Sequence, residues 1–125
     1  MTYKYIKILL MFLLLSIVFT SCSGSTKQVV LVQPQSEGYE LPLEIWSTIK
    51  LEKLSMRLNH CVLDEVGNPI EIGTKVVVLE KARCVSVIYK SEPPMTFPTG
   101  MVKIRIINTG QEAWTWSNAV SSNTD

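Results

Sequence analysis

The sequence is poor in the groups with which proteins do chemistry. Its 125 residues contain one histidine, His60, and three cysteines. No C-x-x-C pair and no H-E-x-x-H stretch occurs, which removes the usual zinc signatures. G-x-S-x-G and Gly-rich phosphate loops are missing as well, and with them the common hydrolase and nucleotide motifs. Charge of one sign is also lacking: twelve Lys/Arg face eleven Asp/Glu, with no single-sign run. That balance excludes the clustered basic excess of a nucleic-acid binder and argues against electrostatic capture of a polyanion. Long apolar runs are missing too. The longest, Ile8 to Phe19, covers twelve residues, about 18 Å as a helix against a hydrocarbon core of about 30 Å.

The adjacent pairs that remain do not make catalytic sites. His60 stands beside Cys61, but a Cys–His nucleophile normally draws its two members from different parts of a chain. Neighbours on a strand point to opposite faces, so His60 reads as a polar turn or strand residue. Asp64-Glu65 reads as a solvated turn, because acid/base carboxylates need a set separation across a cleft. No catalytic residue, metal ligand set or cofactor is expected, and an enzyme is not the expectation.

What is present begins at the N-terminus. Lys4 and Lys7 precede the short apolar run, the charged and hydrophobic regions of a secretory signal. The residues Phe19-Thr20-Ser21-Cys22 then resemble a bacterial lipobox, with Phe19 where the usual pattern has Leu. The resemblance implies cleavage before Cys22 and fatty acylation of its thiol, palmitate included. An ordinary signal peptide cut at another small residue is the alternative. Ser23 follows the cysteine, not the Asp associated with inner-membrane retention. In a diderm host this implies an outer-membrane lipoprotein facing the periplasm, and in a monoderm the outer surface of the membrane. Removing residues 1–21 of 125 leaves 104, with ten basic and eleven acidic side chains, one near-neutral domain.

If Cys22 carries lipid, Cys61 and Cys84 remain in a compartment that permits a disulfide. Chain-entropy reasoning assigns such a bridge roughly 3 to 3.5 kcal/mol. A metal site from His60, Cys61 and Cys84 and a pair of free thiols are the alternatives.

Along the chain, residues 22–42 read as the lipidated cysteine and a tether. Within it, Gln28–Gln33 holds a short Val/Leu strand stopped by Pro34, and 34–42 is turn-rich. Residues 45–58 are ambiguous between helical and strand periods; a short helix or turn over 43–50 and a strand over 51–58 is the expectation. Gly67-Asn68-Pro69 and Gly73 mark turns. Lys75–Glu80 and Arg83–Lys90 read as strands, with Val85, Val87 and Tyr89 on one face. Residues 91–100 form a proline-rich loop. Met101–Asn108 alternates, with Val102, Ile104 and Ile106 one way and Lys103 and Arg105 the other. Asn108-Thr109-Gly110 is a hairpin turn before a strand over Glu112–Ser117, and residues 121–125 are a frayed tail. Short strands between turns argue a mostly β fold.

The order of these elements resembles the bacterial SH3-like (SH3b) domain. Lys53-Leu54-Ser55-Met56-Arg57 is similar to its opening "LNVR" strand, residues 72–80 (IGTKVVVLE) to its "kGtkVtVl" turn and strand, and residues 100–120 to its closing hairpin. The chain departs at Arg57-Leu58-Asn59-His60, where the family has "RSGP", and at Met101 and Ala113, where it has Trp and Gly. The resemblance implies a small SH3-like barrel over residues 43–120.

The binding expectation rests on aromatics. Trp114 and Trp116 lie two apart on one strand face. By analogy with the family, Trp114 is the core aromatic and Trp116 is exposed for ligand, with Tyr89 and Phe97 bordering the same surface. Three roles follow for a lipid-anchored module. It binds peptidoglycan or its peptides; it is a protein-interaction subunit of an envelope assembly (secretion, conjugation or exclusion); or it inhibits an envelope enzyme. The partners are thus the bilayer, through Cys22, and the cell wall or an envelope protein.

Overall fold

The computed structural model describes residues 2–20, 27–56 and 58–120, the side chains of 12–20 excepted. Cys22 and its proposed lipidation, Arg57 and the tail 121–125 lie outside the described residues. A helix, α1, spans Thr2–Thr20, and no helix among the described residues is long and apolar enough to cross a membrane. The remainder is mostly β, as the short, turn-punctuated segments imply.

The first sheet is where local pattern and burial agree. Its strands are β1 (Gln28–Val30), β8 (Lys75–Lys81), β11 (Met101–Ile106) and β12 (Glu112–Trp116), neighbours in that order and all antiparallel. In β8 the consecutive residues Val76 and Val77 are both buried and Val78 is half-buried, so both faces of the strand meet protein and the run needs no alternation. In β11 the alternation places Val102, Ile104 and Ile106 inside, and the exposed Arg105 pairs across the hairpin with Glu112 at 3.5 Å. Gly110, at φ +73°, supplies the left-handed residue that the β11–β12 turn requires. After β12 a single 3-10 turn, Ser117–Ala119, leads to Val120, which bridges back to Leu31.

The second sheet is less regular. Its order is β10 (Met95–Phe97), β9 (Ser86–Tyr89), β6 (Asn59–Leu63) and β5 (Lys50–Lys53), and the central β6–β9 pair is parallel. A parallel pair needs a long crossover, here the chain through β7 (Asn68–Pro69) and β8. The Cys61–Cys84 disulfide ties β6 to the segment leading into β9, with Cα atoms 5.6 Å apart. It uses both thiols, which leaves the metal alternative without its ligands. Two ribbons complete the fold: β2 (Gln35–Ser36) with β3 (Tyr39–Glu40), and β4 (Glu44–Ile45) with β7. Both sheets feed one core, from Val76, Ile104 and Ala113 of the first to Cys61, Leu63 and Val87 of the second. The described strands form these sheets and ribbons and no closed barrel.

Several expectations are corrected. Residues 43–50 form no helix: Leu43, Ile45 and Trp46 are buried, and Trp46 exchanges two backbone hydrogen bonds with Trp114, at 2.9 and 2.7 Å. Residues 51–58 are not one strand. β5 ends at Lys53, and the chain turns where the amides of Leu54 and Ser55 donate to the Leu58 carbonyl. The apolar alternation there faces solvent (Leu54 58%, Met56 90% and Leu58 43% exposed), so no burial enforced a strand. Of the stretch matched to the family's opening strand, Lys53 ends β5 and residues 54–56 lie in the turn, while residues 72–80 and 100–120 fall on β8 and on the β11–β12 hairpin. Residues 28–42 are not a free tether, since Leu31, Pro34, Ser36 and Leu41 are buried. The proline-rich loop carries β10, which pairs back on β9 with Met95 opposite Tyr89.

Candidate functional site

Tyr89, Phe97 and Trp116 come from β9, β10 and β12, and they meet at a cleft of about 150 Å³. The β9–β10 register explains two of them. Tyr89 lies opposite Met95, and Phe97 is two residues on, so all three share one face of that hairpin. Trp116 closes the base. Its indole N–H donates to the Pro42 carbonyl at 2.9 Å. Its ring meets Trp46 edge-on at 5.1 Å and 83°, and Phe97 at 5.5 Å and 80°, the geometry that aromatic quadrupoles favour.

Trp46 and Glu44 complete the wall. They lie two apart on an extended segment and so share a face. Trp46 donates its indole N–H to the Glu65 carbonyl at 2.9 Å. Thr115 Oγ1 donates to the Glu44 carbonyl at 2.8 Å and fixes the segment against β12. Gly67 is required by close approach: a Cβ there would stand 2.7 Å from Trp46 Cε2 and 2.8 Å from Glu44 Cβ. Partial burial raises the carboxyl pKa of Glu44 above its ordinary value, opposed by a hydrogen bond from the Gly67 backbone.

Burial of the two tryptophans reverses the expectation. Trp116 is 2% exposed and belongs to the core, whereas Trp114 is half-buried and does not line the cleft. The cause is Trp46, which comes from a segment 70 residues before Trp116 and roofs it together with Phe97. Glu44, Trp46 and Met95 were missed as site residues. The one available signal was the Glu44-Ile45-Trp46 alternation, hidden in an ambiguous stretch.

On the other side of Trp46 lies a second, polar cleft of about 260 Å³. Lys50 and Asp64 of its lining meet at 2.6 Å, and Lys90, outside the lining, reaches Asp64 at 3.2 Å and Glu52 at 3.7 Å. Hydrogen bonds from Lys50 and Lys90 hold the Asp64 carboxyl below its usual value, and Asp64 raises Lys50 in return. Asp64 and Glu65 are exposed in the bend after β6, as expected, and border this cleft. His60 is half-buried on β6, opposite Glu52. Among the described residues no group of three His, Cys, Asp or Glu side chains is placed to hold a metal.

The arrangement suits recognition: preset rings, one carboxylate and a concave opening. No protein-family model matches the chain, and neither the curated proteins nor the solved structures give a match.

Proposed function

We propose that the chain is an envelope lipoprotein, acylated on Cys22 after removal of residues 1–21, whose SH3-like domain binds peptidoglycan or its peptides. The observation that carries this reading is the cleft, where Tyr89, Phe97 and Trp116 converge from three separate strands. The Cys61–Cys84 bridge fits an oxidising compartment outside the cytosol. Support for an SH3-like core comes from the consecutive β8, β11 and β12 neighbours and from the return of Val120 to Leu31 beside β1, which brings the two ends of the domain together. Three acyl chains at about 0.8 kcal/mol per buried methylene hold a protein in a bilayer without a span. In a diderm host that bilayer is the outer membrane, with the domain in the periplasm.

Co-sedimentation of the detergent-solubilised full chain with purified sacculi tests the proposal. Retention that is lost in Phe97→Ala and Tyr89→Ala, at unchanged near-UV circular dichroism, supports it; no retention of the wild type rejects it. Metabolic labelling with a palmitate analogue tests the anchor, and Cys22→Ser should abolish the label.

A second reading, a protein-interaction subunit, has its own observation. β5 is an edge strand with all four residues exposed, and Leu51, Leu54, Met56 and Leu58 present apolar side chains along it and the following turn. Such an edge and patch are a template for a partner. In-membrane crosslinking from position 56 that traps a partner, and loses it in Leu51→Asp, would favour this role. An inhibitor acting through residues 91–100 draws less support, because β10 folds that segment back onto β9.

A further inference from the structure

The size and charge of the aromatic cleft select among ligands. A cavity near 150 Å³ accepts a molecule of about six heavy atoms, the size of benzene. A hexose with its hydroxyls is about twice that. The tryptophans also offer no flat stacking platform, since they stand at 83° to each other and are only 5% and 2% exposed. The opening is suited to a narrow side chain rather than to a glycan.

Charge narrows the choice further. Glu44 is the one charged side chain among the described residues that line the cleft. Lys50 and Lys90 are engaged by Asp64 and Glu52. The ion pairs of Lys50, Lys90 and Arg105 go to Asp64, Glu52 and Glu112 and leave Glu44 aside. Its carboxylate accepts the Gly67 N–H and retains lone pairs for further donors. The half-buried rings of Tyr89 and Phe97 add the negative faces that attract a cation.

We propose that this cleft is a receptor for an aliphatic ammonium group, the side chain of a lysine or other diamino acid within a peptide. Its methylenes lie against Phe97, Met95 and Trp116, and its charge meets Glu44 and the ring faces. This deepens the wall-binding reading and rests on it, directing recognition to the peptide rather than the sugar. An acylated amine carries no charge and is rejected.

The test titrates the full chain in detergent micelles with acetyl-Ala-Lys-Ala-amide and with its norleucine and Nε-acetyl-lysine counterparts, followed by calorimetry and tryptophan fluorescence. The lysine peptide should bind about tenfold or more tighter than either uncharged analogue. Glu44→Gln, which keeps the side-chain shape, should remove that preference. Tyr89→Leu at the rim should weaken lysine binding several-fold and serves if Glu44→Gln unfolds. Equal affinity for norleucine, or no measurable binding of the lysine peptide, overturns the proposal. Sacculi with their free amines acetylated separate the two readings. Equal retention of the chain on native and acetylated sacculi rejects the ammonium receptor and leaves wall binding standing. Binding of the lysine peptide without retention on any sacculi rejects the wall and keeps the receptor.

Discussion

The two four-stranded sheets reach stability by different routes. In the first, β8, β11 and β12 bury Val76, Val102, Ile104, Ile106 and Ala113 in antiparallel pairing, with one register shift between β8 and β11 at Lys103–Ile104, and packing is the main cause of order. In the second, the strands run three to five residues, the outer strand β5 buries nothing, and the central pair is parallel. There a covalent bond adds to the burial of Val62, Leu63 and Val87. The site sits where the two meet: Tyr89 and Phe97 come from the stapled sheet, and Trp116 from the packed one. Phe97 of the second sheet is thus seated on Trp116 of the first, with Tyr89 beside them.

The sharpest way to break this contrast is at that anchor. Trp116→Ala should cost about 3–5 kcal/mol, as truncation of a buried aromatic does, measured by chemical denaturation. Trp114→Ala, half-buried, should cost clearly less; equal losses would undo the distinction between the two tryptophans. Removing the staple by Cys61→Ser with Cys84→Ser should cost roughly 3 kcal/mol. Hydrogen exchange should then rise in β6, β9 and β10 well before β8 and β11, and uniform loosening of both sheets would contradict the division of labour. Gly67→Ala should cost about 1–3 kcal/mol through overpacking against Trp46 and Glu44, with altered tryptophan fluorescence. A variant as stable as wild type would show that the site wall yields easily.

The smallest effects are electrostatic and oppose each other. The Asp64 pKa is lowered from 3.8 by the hydrogen bonds of Lys50 and Lys90. Its contribution is therefore present above that value and is lost as pH falls through the lower, folded value. Glu44 is raised from 4.5 by burial, so the stability associated with its neutral form is lost as pH rises from 4.5 through the folded value. Relative to wild type, Asp64→Asn should be slightly less stable at neutral pH and equal in strong acid. Glu44→Gln should gain on wild type as pH rises across the Glu44 transition. The Asp64 effect should shrink in high salt because the pair is exposed. Melting curves between pH 2 and 7 check both signs.

Legibility followed the same divide. β8 and the β11–β12 hairpin were readable because alternation, turn residues and burial coincide within a few neighbouring residues, as at Val102–Ile106 and Gly110. Cys61 and Cys84 were readable as a pair from their number and the compartment implied by the N-terminus. Tyr89, Phe97 and Trp116 were named as one surface, although the exposure assigned to Trp116 was reversed. Residues 43–58 were misread because their strands span two to four residues and take their form from partners outside the stretch, Trp114 for Trp46 and Cys61 for Leu51. The solvent-facing Leu54, Met56 and Leu58 mimicked a buried period.

By itself the sequence determined the β character and the central hairpin and offered the Cys61–Cys84 bridge as one of three readings, since each depends on short-range pattern or on simple counting. Only the tertiary structure decided which tryptophan is buried, which carboxylate joins the aromatics, and that β6 and β9 run parallel. Those outcomes are set by contacts between segments tens of residues apart, where the free energy of packing one side chain depends on partners that no local window contains.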